Sequence, residues 1–194
     1  MVQLINRYLT EDDIAKIARI STDGKRKNSN EDLIRILMKR GHLSVMEHAA
    51  MTFYVECPIY TARQWMRHRI GSFTEKSGRY SEMKFFQLKV DCDQLKKIEM
   101  EYEMLALFNY YDELIRDGMK KEQARQVLPL CTLTKFYWTI NLRSLMNFLD
   151  LRMDPHAQRD IRENARQVFE LFKKHYPTIA DEWRKQHEKI HSGA

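Results

Sequence analysis

The chain has 194 residues, 43% hydrophobic and 11% aromatic, enough apolar material for a core that buries about 70% of the unfolded surface. Its six glycines and four prolines exclude collagen-like, low-complexity and linker-rich classes, and no run of about 18 apolar residues is present to span a membrane. The net charge of +6, from 33 Lys and Arg against 27 Asp and Glu, leaves a nucleic-acid binder open until the excess is located.

Met1 to Arg7 lacks the charged and long apolar regions of a signal peptide, and residues 2–9 read as a short strand. Thr10 and Asp13 carry an N-cap signal for a helix to about Ile20. A polar loop at 25–28 precedes a helical face of Leu33, Ile34, Leu37 and Met38, ended by Gly41. Ser44-x-x-Glu47 has the capping-box pattern of a brief helix. Met51, Phe53, Val55 and Cys57 alternate as in a strand, and Pro58 suits the first position of the next helix.

Beyond an arginine-rich segment, residues 84–90 read as a possible strand and 93–117 as a long helix. Leu95, Ile98, Tyr102 and Leu105 line its apolar face, with Gly118 as a stop. A shorter helix at 120–127 is cut by Pro129, and 132–140 has the β-branched and aromatic content of a strand. Helices follow at 142–151, 155–175 and 177–190, with Asp154-Pro155 as the cap and first turn of the second. These elements predict an α+β fold: a single compact domain over 1–194, with a small mixed or antiparallel sheet packed by helices.

Cys57, Cys92 and Cys131 are far apart and odd in number, so neither a disulfide framework nor a C-x-x-C site is expected. They read as core residues of a reduced, cytoplasmic protein, and Trp65, Trp138 and Trp183 read as packing residues. His42 and His48 do not have the i, i+4 spacing of a metal helix, and no metal is expected. No two glycines form a G-x-G pair, so a Rossmann fingerprint and a P-loop are both absent. A nucleotide phosphate would have to be held by side chains.

The charge excess is local. From Arg159 to Lys189 basic and acidic residues alternate, as on a solvated helix. Between 63 and 79, Arg63, Arg67, Arg69, Lys76 and Arg79 face only Glu75. Guanidinium forks suit phosphate or a carbonyl-rich heterocycle, and Ser77 with N–H groups near Gly78 can complete an anion site. By residue type alone, an anion or nucleotide site and a surface ion-pair cluster both remain open. From residue type alone, Asn141 and Asn147 read as caps of a strand end and a helix rather than as ligands.

Arg67-His68-Arg69, seven residues, then Ser77 resembles the signature of the flavin-dependent thymidylate synthases. Ala62-Arg63-Gln64-Trp65 precedes it and Ser77-Gly78-Arg79-Tyr80-Ser81 closes it. Gly41-His42, Glu122-x-x-Arg125-x-x-Leu128-Pro129-Leu130, the stretch Asn141 to Leu149, Leu151-Arg152 and His156-Ala157-Gln158 extend the likeness over about residues 41–158. One position departs: Thr74 stands where the family usually has Asn, replacing an amide by a hydroxyl.

The resemblance implies reductive methylation of dUMP to dTMP. Its carbon donor would be 5,10-methylenetetrahydrofolate, and FAD, reduced by NADPH, would carry the hydride. Ser44, Arg67, His68, Arg69, Glu75, Asn141, Arg143 and Asn147 would contact FAD, with His42 near the flavin ring and the folate entry. Gln64, Arg67, Glu75, Lys76, Ser77, Gly78, Arg79, Arg125 and Arg152 would meet dUMP. Ser77 would be a hydrogen-bonding ligand rather than a nucleophile, since no base adjoins it in sequence. Arg152 would be catalytic, a fixed cation for charge developing at N3 and the neighbouring carbonyl oxygen. The family's homotetramer, with sites shared between subunits, is implied too; a nucleic-acid or membrane partner is not.

Overall fold

Thr10 sets the first boundary of the chain. Its N–H donates to Asp13 Oδ2 (3.0 Å) while its hydroxyl accepts from the Asp13 N–H (3.2 Å), a closed capping box that ends β1 (Val2–Tyr8) and starts α1 (Glu11–Arg19). α2 (Asn30–Lys39) is capped by Ser29, and Gly41 follows it at φ +69°. There the His42 N–H reaches back to the Leu37 carbonyl (2.9 Å), the left-handed stop that glycine permits. The computed structural model describes residues 1–24, 28–84 and 93–192, with the side chains of 188–192 excepted. Most of the polar loop expected at 25–28, nearly all of the strand at 84–90, and Cys92 lie outside those residues.

A 3-10 turn (Leu43–His48) leads into β2 (Ala50–Pro58), where Met51, Phe53, Val55 and Cys57 are buried. α3 (Ile59–Trp65) starts one residue later than predicted, because Pro58 stays extended (ψ 150°) as its N-cap. Two of the helix's orphan N–H groups, on Ile59 and Tyr60, donate to the carbonyls of Thr132 (3.0 Å) and Leu130 (3.2 Å). β3 (Ser72–Glu75), α4 (Gln94–Arg116) and α5 (Lys121–Ala124) come next. β4 (Leu133–Asn141) buries Thr134, Phe136, Trp138 and Ile140 on alternate positions. α6 (Leu142–Arg152), α7 (Arg159–His175) and α8 (Pro177–Ser192) complete the order.

The strands form one four-stranded antiparallel sheet in the order β1-β2-β4-β3. The expected α+β class and helix-packed sheet are both present. The polypeptide clusters into two compact units. The first holds residues 1–54, 68–73 and 137–194; the second holds 55–67 and 74–136. In the first, Trp138 centres an aromatic cluster, 5.5 Å from Phe53, 6.2 Å from Phe73 and 4.9 Å from Phe148 between ring centroids. In the second, Trp65 meets Phe136 edge-on at 5.6 Å.

Two local expectations are corrected, and one element is new. β3 falls in the arginine-rich segment, where no strand is predicted; its four residues, with two hydroxyls and one carboxylate, carry too short a pattern to register as one. α7 begins at Arg159 rather than 155: Asp154 Oδ1 accepts from the His156 N–H (2.7 Å), and this local turn competes with a helix start. The apolar row of α4 is not core within this chain. Leu95 and Tyr102 are 71% and 72% exposed, Ile98 and Leu105 are also exposed, and Phe108 and Tyr111 are the buried residues of the helix.

Candidate active site

In the first unit, His42, Ser44 and Arg143 line a cavity of about 450 Å³ whose apolar walls include Ile17, Leu37 and Val45. His42 is the N-cap of the 3-10 turn and makes no side-chain cap bond. Ser44 lies inside that turn, so the predicted Ser44–Glu47 capping box does not form. Glu47 instead accepts from Arg143 Nη1 at 2.5 Å. A hydroxyl, an imidazole and a guanidinium over apolar walls make a donor set suited to an anionic ligand with a flat, apolar part. Asn141 spends its side-chain oxygen on the helix, accepting from the Ser144 N–H (2.9 Å), so its capping role is real. Asn147 is exposed on α6.

The same unit brings His68 and Arg152 together. His68 is buried, and its Nε2 accepts from Arg152 Nε at 2.9 Å. Phe148, one turn earlier on α6, meets the imidazole in a T-shaped contact at 4.9 Å. Burial, and then the Arg152 charge, hold the His68 pKa down at about 4 from the usual 6.5. Burial also pulls the Arg152 pKa below its ordinary value, yet a guanidinium stays charged at neutral pH. Arg69 beside His68 is exposed.

In the second unit, Glu75 Oε1 accepts from the Thr134 hydroxyl at 2.6 Å. The Lys76 N–H donates to the Lys135 carbonyl (2.8 Å), and its ammonium donates to the Glu82 carbonyl. Burial lowers the Lys76 pKa first, and the nearby charges of Lys135 and Lys84 lower it further. Ser77 begins a tight turn: its Oγ accepts from the Arg79 N–H (3.2 Å), and its carbonyl accepts from the Ser81 hydroxyl (2.8 Å). Gly78 is buried, and a Cβ there would lie 3.3 Å from both Arg125 Cδ and Met83 Sδ. Arg79 Nε contacts Glu122 Oε2 at 3.2 Å, with its guanidinium 5.4 Å from the Tyr80 ring centroid. Arg67 and Thr74 are exposed, and Gln64 is half-buried on α3.

Each unit therefore brings together its own share of the residues singled out in the sequence. Arg79 does not lack a counter-charge: Glu122, 43 residues away, provides one. Thr134, which fixes Glu75, and the His68–Arg152 bond across 84 residues escaped the sequence reading. Partners set by folding leave no periodic signal along the chain.

Residues 3–178 match the family model described as thymidylate synthase complementing protein. A flavin-dependent thymidylate synthase of Thermosipho africanus is 43% identical, covering 84% of this chain and 81% of its own length. One of Thermus thermophilus is 36% identical over 100% of this chain and 77% of its own. Among solved structures, a crystal structure of the UMP/dUMP methylase PolB from Streptomyces cacaoi bound with 5-Br dUMP superposes with a TM-score of 0.84. That protein is 31% identical, and the match covers 95% of this chain and 94% of the other. The match over nearly the whole chain, together with the Arg67-to-Ser77 block and the relatives' identities, places this chain in the thymidylate synthase complementing protein family.

Proposed function

We propose that this chain is a flavin-dependent thymidylate synthase that methylates dUMP to dTMP, with 5,10-methylenetetrahydrofolate as carbon donor and NADPH as reductant. The observation that carries the reading is Arg152: a half-buried guanidinium whose Nε is fixed by a hydrogen bond to the His68 imidazole. Uracil becomes a carbon nucleophile at C5 only when electron density is pushed into the ring. A preorganised cation beside N3 and the adjacent carbonyl oxygen stabilises that charge, and removing such a group costs about 10²- to 10³-fold in rate.

The donor set around the 450 Å³ cavity fits FAD. Arg143 and Ser44 would hold it there, with His42 close to the ring and the folate entry. Asn141, Asn147, Arg67, His68, Arg69 and Glu75 would add contacts, several of them from different subunits. Bound flavin supplies hydride transfer, and the protein supplies position and charge. Arg79, Arg125, Lys76 and the Ser77-Gly78 turn would bind the phosphate of dUMP. Gln64, Arg67, Glu75 and Arg152 would face its base and sugar.

We also infer a homotetramer with sites shared between subunits. The exposed apolar row of α4, Leu95, Ile98, Tyr102 and Leu105, supports it, since contiguous exposed apolar surface marks an association site. Ile98→Glu should shift the mass by light scattering toward smaller species and reduce turnover; an unchanged tetramer would remove α4 from the interface. The decisive assay is anaerobic conversion of dUMP to dTMP with methylenetetrahydrofolate, FAD and NADPH. A yellow protein bleached by NADPH and a stoichiometric dTMP product are expected. A colourless protein with no turnover after FAD addition would overturn the function.

A further inference from the structure

We propose that His68 is a positioning residue for Arg152: its Nε2 lone pair aims the guanidinium, and a donor at that atom would misplace it. The inference rests on the catalytic reading of Arg152 given above. Arg Nε always carries a hydrogen, so the 2.9 Å contact fixes His68 Nε2 as the acceptor. The imidazole is then neutral, and its one proton sits on Nδ1. Any further hydrogen bond that His68 donates, to a flavin or to a substrate, must come from Nδ1.

Three features make this a holding device. Phe148 and Arg152 are four residues apart, so α6 presents the ring and the guanidinium on one face. His68 packs against both, edge-on to Phe148 at 4.9 Å. Phe148 is itself fixed by Trp138 at 4.9 Å, in the aromatic cluster of the sheet. The bond also engages Nε rather than a terminal Nη, so the end of the fork is not what His68 grips. Protonation would remove the lone pair and set two cations side by side, and the depressed basicity of His68 opposes that.

His68→Gln places a carbonyl acceptor near the Nε2 position, whereas His68→Phe keeps a ring against Phe148 with no acceptor. We expect His68→Phe to lower kcat on the order of 10- to 100-fold, the range for a misplaced catalytic group, and His68→Gln to recover most of it. In an Arg152→Ala background, His68→Phe should lower kcat far less than it does with Arg at 152, because groups that act through one another are not additive.

A readout independent of turnover is the Arg152 Nε–H resonance of ¹⁵N-labelled protein, assigned by its loss in Arg152→Lys. It should be protected from solvent exchange in the wild type and in His68→Gln. His68 Nε2 should report an unprotonated nitrogen from about pH 6 to 8. If His68→Phe fails to fold, these resonances in the wild type and the Gln variant still decide. Equal kcat losses with Arg or Ala at 152, or a protonated Nε2, would overturn the positioning role. Failure of dTMP formation in the wild type would overturn the function instead and leave the resonances to be read separately.

Discussion

Residues 68–73 and residues 74–80 are neighbours in sequence but sit in different environments. The first stretch is set among rigid groups. His68 is wedged against Phe148 and bonded to a half-buried Arg152, and Gly71 leaves room for the indole of Trp138 and the Thr139 carbonyl. The second stretch meets flexible ones: the side chains of Arg125 and Met83 cover Gly78, and an exposed Glu122 faces an exposed Arg79. Under the proposed function, the first stretch would hold the half-buried Arg152 for the reaction, and the second would offer exposed cations to an incoming anion.

The sharpest break of that contrast is Arg152→Ala. It should lower kcat by about 10²- to 10³-fold while the purified protein stays yellow; near-normal turnover would put the reactive cation elsewhere. Next comes the glycine pair. A Cβ on Gly71 would fall 2.9 Å from Trp138 Nε1 and 3.1 Å from the Thr139 carbonyl oxygen, neither of which can yield. Gly71→Ala should therefore cost about 1–3 kcal/mol in urea unfolding. Gly78→Ala, meeting side chains that can rotate, should cost under about 1 kcal/mol. Equal losses would erase the difference between the two stretches.

A pH series tests the buried imidazole. His68 titrates near 4 when folded and near 6.5 when unfolded, so between those values the unfolded chain binds the extra proton. Its contribution is fully present above about pH 6.5 and is lost as pH falls toward 4. The urea midpoint should drop between about pH 7 and pH 5 more steeply in the wild type than in His68→Gln; parallel curves would place His68 in an ordinary solvated site. The smallest effect belongs to the exposed pair. Glu122→Gln should lower the KM for dUMP by no more than about fivefold, since such ion pairs are worth about 0–1 kcal/mol. A rise in KM would instead make Glu122 a positioning partner of Arg79.

Local signals were legible because they act within a few residues. Thr10 and Asp13 cap α1, Gly41 and Gly118 follow helices at positive φ, and period-two burial marks β2 and β4. The Arg67-to-Ser77 block pointed to the family for the same reason: its chemistry is concentrated in a short stretch. Gly71 and Gly78, in that same region, do not have a positive φ. Each is small because another part of its own unit closes on it.

The sequence by itself determined the α+β class, most helix ends, the alternating strands and the family to which the residues belong. Capping, periodicity and motif spacing are properties of neighbours along the chain, and they need no knowledge of what lies opposite. Only the tertiary structure decided that His68 accepts from Arg152, that Glu122 faces Arg79, that Thr134 fixes Glu75 and that the apolar row of α4 stays exposed. Those outcomes depend on which side chains a folded backbone brings within hydrogen-bond or contact range. The basic excess noted at the start is thus not a uniform surface charge: one of the arginines it includes is balanced by a carboxylate far away in sequence, and the half-buried Arg152 is held by a neutral ring.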